Sequence, residues 1–269
     1  MAMPYRELIV DASPHSSVRE ILIRARTLAT RLEARVSALS YAWPRASVSD
    51  FVTQNVLSGA EQERAVKREL AAARGAFETV FESASVTAEW CSGIGNPDKA
   101  LLGHLLTSDL LVSSTKEPEL CVLPNAGGLT VRTGVPVLIL GEQKNEREFQ
   151  RILVAWKDTA QARRALHFSL PILALAEKIT VVGVGDEVSS ESLSKVVIYL
   201  QNHGVRACDQ HVPLSSHDVC AELISLARHK ETDLIVAGIR TGENFVERLF
   251  GGATQKILKD RSMSWFLSN

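Results

Sequence analysis

The stretch Asp233-Leu-Ile-Val-Ala-Gly238-Ile-Arg-Thr-Gly242, followed by Phe250-Gly-Gly-Ala-Thr-Gln-Lys-Ile-Leu258, decides how the rest of the sequence is read. Asp233 to Ala237 is a short apolar, β-branched run, the composition of a parallel strand buried on both faces. Glycines begin where it ends, so a loop follows the strand. Gly251 and Gly252 then precede Ala253-Thr254-Gln255-Lys256-Ile257-Leu258, which reads as a helix. Backbone N–H groups at such a helix start are placed to face an anion, which outlines a phosphate cradle. The plainer reading of the same glycines is loop punctuation in an α/β domain.

The strand ahead of this loop belongs to an alternating series. Leu8-Ile9-Val10 reads as a strand, and about Ser16 to Leu32 as a helix with Val18, Ile21, Leu22, Ala25, Leu28, Ala29 and Leu32 on one face. A strand at 36–40 follows, then a long, mostly helical stretch whose segment Glu61 to Glu82 has one charged side. Ser85 to Trp90 is a third strand, Cys91 to Pro97 a turn, Asp98 to Leu106 a helix, Asp109 to Ser114 a fourth strand and 134–140 a fifth. The polar segment Glu142 to Phe149 reads as a linker.

A second copy of the series then begins. Strands are expected at Arg151 to Trp156, Lys178 to Val184, Val205 to His211, Asp233 to Ala237 and near Trp265 to Leu267. Helices are expected at Gln161 to Ala176, Ser190 to His203 and His217 to His229. Ser108-Asp109-Leu-Leu-Val matches Thr232-Asp233-Leu-Ile-Val, and Pro136-Val-Leu-Ile matches Ser264-Trp-Phe-Leu, so an internal repeat is the simplest account. Alternating strands and helices impose parallel sheets with right-handed crossovers, so each copy is a doubly wound α/β layer.

The glycine spacing resembles the nucleotide loop of the universal stress protein family, G-x2-G-x9-G-[ST]. Gly238 fills its first position and Gly251 its third; Thr241 stands where the second glycine is expected and Gly252 where the Ser/Thr is expected. Gly242, one place along, supplies the same backbone freedom at positive φ. Val-Ala-Trp156-Lys-Asp-Thr-x-x-Ala-Arg-Arg-Ala-Leu is similar to the opening of the C-terminal half of tandem members of that family. The resemblance covers nearly the whole sequence. It implies two flavodoxin-like domains of the adenine nucleotide alpha hydrolase-like type, residues 1–143 and 150–269. It also implies that they form an intramolecular pseudo-dimer in which Val137 to Leu140 pairs with Trp265 to Leu267.

In the family the crevice at the strand ends holds ATP with Mg2+, which places the candidate residues. In the second copy these are Gly238, Arg240, Gly242, Gly251, Gly252, Ala253 and Thr254 for the phosphates, Val184 near the base, and Lys157 with Asp158 at the position matched to Asp11. In the first copy they are Asp11, Ala12 and Ser114, but Ser114-Thr115 stands where the loop should begin and only Gly127-Gly128 survives downstream. Each copy lacks what the other retains. Asp11 is read either as a ligand contact or as the cap of the first helix. Lys157 either pairs with a phosphate or faces solvent, and Arg240 has the same two readings.

Composition narrows the function classes. With 269 residues, 45% hydrophobic and 23% charged, the protein has the make-up of a soluble globular one, and a formal charge of −1 gives no general drive toward nucleic acid or anionic membrane. No signal segment is readable at Met1-Ala-Met-Pro-Tyr-Arg-Glu and no apolar run reaches the roughly 20 residues of a membrane helix, so a cytoplasmic protein is expected. Four cysteines without a C-x2-C pair read as reduced, buried thiols; Cys208, His211, His217 and Cys220 form the one conceivable metal set. No G-x-S-x-G, H-E-x-x-H, Walker A or kinase signature occurs, and no catalytic base is nominated; weak ATP hydrolysis is the most expected of it as an enzyme. The expectation is a stress-response protein that binds a nucleotide and is a dimer in the sense of the intramolecular pseudo-dimer, further self-association being left open, against a scaffold or signalling partner without nucleotide, or a small-ligand or metal carrier.

Overall fold

The computed structural model describes residues 4–43, 59–115, 121–142, 148–213, 219–239 and 262–269. Two compact units divide the protein, Tyr5–Leu129 and Thr130–Asn269, the second including Met1–Pro4.

The first unit carries β1 (Glu7–Asp11), α1 (Val18–Leu32), β2 (Arg35–Ala42), α2 (Gly59–Phe81), β3 (Ala88–Ile94), α3 (Pro97–His104), a 3-10 turn (Leu105–Thr107) and β4 (Leu110–Ser114), with α4 (Ala126–Thr133) running across its end. Its sheet is parallel in the order β3-β2-β1-β4. The buried side of α1 is the set of seven residues read from the sequence, Val18, Ile21, Leu22, Ala25, Leu28, Ala29 and Leu32, and it packs against α2. Each large apolar residue of that set stabilises the fold by roughly 1.5–3 kcal/mol on leaving water, which outweighs the modest helix propensity of Val, Ile and Thr in that segment. Backbone freedom is spent at the helix end, where Glu33 adopts φ 55 and its N–H closes on Ala29 and Thr30 carbonyls.

The second unit carries β5 (Val137–Leu140), β6 (Arg151–Trp156), α5 (Ala160–Leu173), β7 (Lys178–Val184), α6 (Ser190–Asn202), β8 (Ala207–Val212), α7 (Val219–His229), β9 (Leu234–Gly238) and β10 (Ser264–Ser268). Its strands run β5-β10-β9-β6-β7-β8, all parallel except β5, which is antiparallel to β10 with Trp265 opposite Ile139, Phe266 opposite Leu138 and Leu267 opposite Val137. This is the strand pairing that the resemblance implies. β5, which closes the first repeat in sequence, thus falls in the second compact unit beside β10.

The protein is therefore a tandem of two doubly wound α/β repeats. Both follow one order, β3-β2-β1-β4 and β8-β7-β6-β9. The burial of each strand follows its place. Centrally placed β1, β4, β6, β9 and β10 are buried almost throughout, while β3 and β8 at the ends of the order alternate more and less exposed side chains.

Several expectations are corrected. Cys91 to Ile94, expected as a turn, continues β3, because an edge strand tolerates Ser92 and Gly93 on a half-exposed ladder. Phe149, placed in the linker by its polar neighbours, is a core side chain only 2% exposed and adopts φ 60. The helix α4 is not legible in the sequence because Gly127, Gly128, Thr130 and Val131 are poor helix formers; Asn125 caps it, its Oδ1 accepting from Gly128 N at 3.0 Å. Cys121 and Cys220 are buried, but Cys208 is exposed on the edge strand β8. Among the described residues no helix is long and apolar enough to cross a membrane.

Candidate functional site

In open α/β sheets ligands are received at the carboxyl ends of the strands, where the strand order reverses. In the first repeat that point lies between β1 and β4. Asp11 ends β1 there, only 7% exposed. Its Oδ1 accepts from Ser13 N at 3.1 Å and its Oδ2 from Ser113 Oγ at 2.9 Å. Burial pushes its carboxyl above the ordinary carboxylate range, a shift that the bonds from Ser13 and Ser113 offset in part.

Asp11 is not the cap of the first helix. That helix starts at Val18 with Ser17 in the cap position, six residues beyond Asp11, and Asp11 instead closes a short turn onto Ser13. Ala12 is buried and donates its N–H to Leu39 O at 2.9 Å, while Ser114 is half-buried at the end of β4. The residue missed in the sequence is Ser113, which holds Asp11 from 102 positions away. Its signal is a hydroxyl that directly follows the apolar run Leu110-Leu-Val112 in β4. Ser13 and His15 are buried beside the same turn, His15 Nδ1 accepting from Ser17 N at 3.0 Å.

The second repeat is registered on the first by a shared clamp. Asp109, just ahead of β4, accepts from Arg6 N and Glu7 N through Oδ2 at 2.7 and 2.9 Å. Asp233, just ahead of β9, accepts from Gln150 N and Arg151 N at 2.8 and 3.2 Å. With Leu8 beside Leu110 and Ile152 beside Leu234, the position of Asp11 is taken by Ala155, that of Ser113 by Ala237 and that of Ser114 by Gly238. This corrects the match of Lys157 to Asp11: Lys157 corresponds to Ser13. Thirteen positions separate Ser114 from Gly127 and thirteen separate Gly238 from Gly251, so in the sequence the glycine pairs stand at one distance from the matched strand ends.

Lys157 and Asp158 both lie on the surface. Lys157 pairs with Glu187, whose carboxyl the lysine's hydrogen bond holds below its usual range, and Asp158 pairs with Arg163. Thr159 caps α5, its Oγ1 accepting from Ala162 N at 3.2 Å. Val184 is half-buried at the end of β7. Gly238 ends β9 against the start of α5: a Cβ there would stand 2.5 Å from the carbonyl carbon of Gln161 and 2.5 Å from Ala162 N, so no larger residue fits without moving backbone. Arg240, Gly242, Gly251, Gly252, Ala253 and Thr254, like Thr241, lie outside the described residues.

No family model and no curated protein matches the sequence. Solved structures do. A universal stress protein from Archaeoglobus fulgidus DSM 4304 superposes with a TM-score of 0.71 at 13% identity, over 98% of this protein and 96% of its own length. The fold is that of a universal stress protein. A functionally unknown protein from Pseudomonas aeruginosa PAO1 also shares it, with a TM-score of 0.55 at 14% identity over 98% of this protein and 92% of its own length. At this identity the likeness is one of universal stress fold and topology, and site chemistry has to come from this protein's own residues.

The conceivable metal set is dispersed. Cys208 lies on β8 with its Sγ 3.6 Å from Ile179 O, His211 Nε2 lies 3.0 Å from Gly185 O, Cys220 is buried in α7, and His217 is outside the described residues. Among the described residues no three His, Cys, Asp or Glu side chains cluster as metal ligands.

Proposed function

We propose that this is a stress-response protein whose second repeat holds an adenine nucleotide with Mg2+ at the carboxyl end of β9. The observation that carries the reading is Gly238. It fills the first glycine position of the loop, and its bare Cα admits the amino end of α5 within van der Waals distance of the strand end. A helix start carries roughly half a positive charge in its unpaired N–H groups, so the loop opens beside a favourable place for phosphate. The amides of Gly251 and Gly252 take the phosphates in this reading, and Val184 lies toward the base. No side chain is nominated for hydrolysis, so any turnover is slow. The reading carries a cytoplasmic location with it.

The test is nucleotide released from heat-denatured purified protein and separated by ion exchange, together with thermal unfolding with and without ATP and Mg2+. Adenine nucleotide in the extract, a rise in Tm with ATP, and loss of both on Gly251→Leu with Gly252→Leu are expected. An empty extract with an unmoved Tm at millimolar ATP overturns the reading. A second reading then stands, a scaffold or signalling partner. It is favoured by Asp11 being bonded internally to Ser13 and Ser113 while Ala155 replaces it in the second repeat.

A further inference from the structure

A groove of about 440 Å³ opens between α5 and α6 in the second repeat. That volume lies within the usual range for small-molecule sites. Its floor is apolar: Trp156, Leu166 and Val196 line it, each between 5% and 8% exposed. Trp156 is the last residue of β6, at the end of the sheet where α/β folds receive ligands. Its indole N–H already donates to Ser192 Oγ at 2.9 Å, so the ring offers the groove a surface for stacking rather than a hydrogen bond. In the first repeat Ala12 stands at the position of Trp156 and α1 packs on α2.

Polar groups sit around this floor. Arg163 reaches it from α5 and Lys195 from α6. Each is held by an exposed ion pair, Arg163 with Asp158 at 61% and 61% side-chain exposure, Lys195 with Glu191 at 72% and 77%. Pairs so open to water contribute little, so either cation exchanges its partner for a ligand carboxylate at small cost. Further along, His167 Nδ1 and Tyr199 Oη lie 3.0 Å apart, and burial raises the Tyr199 phenol, which stays protonated at neutral pH.

The two carboxylates at the mouth set the charge of the occupant. Asp158 lines the groove and Glu191 stands beside Lys195, which feels both of them. One carboxylate can share the open donors of Arg163 and Lys195, whereas a polyphosphate would bring more negative charge to the mouth than these two cations offset beside Asp158 and Glu191. We infer that the α5–α6 groove is a binding site for a planar aromatic monocarboxylate, its ring on Trp156 and its carboxylate between Arg163 and Lys195. The site is independent of the nucleotide reading, which rests on the loop after β9.

The experiment uses the full-length protein with 15N-labelled tryptophan. Four indole cross-peaks are expected, one for each tryptophan, and Trp156→Phe identifies that of Trp156. Titration with 1-naphthoate should shift the Trp156 peak saturably, and inorganic triphosphate should not. The neutral isostere 1-naphthamide should bind about fivefold more weakly or worse. Arg163→Gln with Lys195→Gln, both exposed positions, should weaken naphthoate about fivefold and leave the amide unchanged. Val196→Phe should weaken both by filling the floor. The inference is overturned by an unmoved Trp156 peak at millimolar naphthoate, by equal binding of acid and amide, by triphosphate acting at the same peak, or by indifference of the glutamine variants.

Discussion

The two aspartate clamps make a prediction that geometry alone decides. At Asp109 a single oxygen, Oδ2, takes both backbone N–H groups at 2.7 and 2.9 Å. At Asp233 the work is divided, Oδ2 accepting from Gln150 N and Oδ1 from Arg151 N, with the residue only 8% exposed. Asparagine has one carbonyl oxygen. Placed at 109 it keeps both bonds and loses only their charge, about 1 kcal/mol. Placed at 233 it sets an amide N–H against a backbone N–H at the start of β6, losing a charged bond and stranding a buried donor, about 3 kcal/mol. Urea unfolding of Asp109→Asn and Asp233→Asn, followed by far-UV circular dichroism and compared at a common m-value, measures the difference. Equal losses, or a larger loss at 109, would refute the reasoning that oxygen-by-oxygen geometry controls these clamps.

Asp11→Asn tests the buried carboxyl. Because the folded state holds the Asp11 proton more tightly than the unfolded state does, its contribution to stability is present below the unfolded value of about 3.8 and is lost as pH rises through the raised folded value. Asparagine can keep the bond from Ser13 N and donate to Ser113 Oγ, so its stability relative to wild type should improve from pH 4 to pH 7; a relative decline over that interval would contradict the assignment. Phe149→Gly sets backbone against packing: removing the Cβ from a left-handed conformation is worth about 1–2 kcal/mol, less than the roughly 3–5 kcal/mol of a buried phenyl ring. Net destabilisation in a urea titration is expected, and a neutral or stabilised variant would show that the ring contributes nothing.

The parts of the fold legible in the sequence are those where local pattern and tertiary role agree. The apolar runs of β1, β6, β7 and β9 are central strands because only residues buried on both faces can sit there, and α1 shows its buried side by spacing alone. For β7 the agreement is residue for residue, Lys178 to Val184. Legibility fails where tertiary contacts override local chemistry. Gly93 signals a turn, yet in β3 it leaves room for the Tyr41 ring, which a Cβ would meet at 3.0 Å. Phe149 sits among polar residues, and nothing local announces that its side chain is buried. At the site, the glycine at 238 is legible as the end of a strand, but its contact with the start of α5 spans more than seventy positions. The match of Lys157 to Asp11 fails for a related reason. Three residues separate β6 from α5 where six separate β1 from α1, so counting from the helix and counting from the strand give different partners.

That difference bears on why the two repeats diverge at the strand ends in pairs rather than singly. Asp11 and Ser113 occupy adjacent strands and satisfy one another; Ala155 and Ala237 occupy the same two positions without a polar atom between them. A mixed state would leave a buried hydroxyl or carboxylate without its partner, at about 1–3 kcal/mol or more, whereas a wholly apolar pair costs little. The two arrangements are thus alternative self-consistent solutions to one position in the fold. They also divide the chemistry available at each crevice. The first repeat keeps a carboxylate but engages it internally, and has Ser114 where a glycine would admit the helix start. The second repeat has Ala155 and Gly238 at the matched positions, so at the ends of β6 and β9 it presents backbone dipoles where the first repeat presents a carboxylate. A nucleotide bound there would be held by its phosphates more than by its ribose, and the number of phosphates would govern its affinity more than the identity of the sugar.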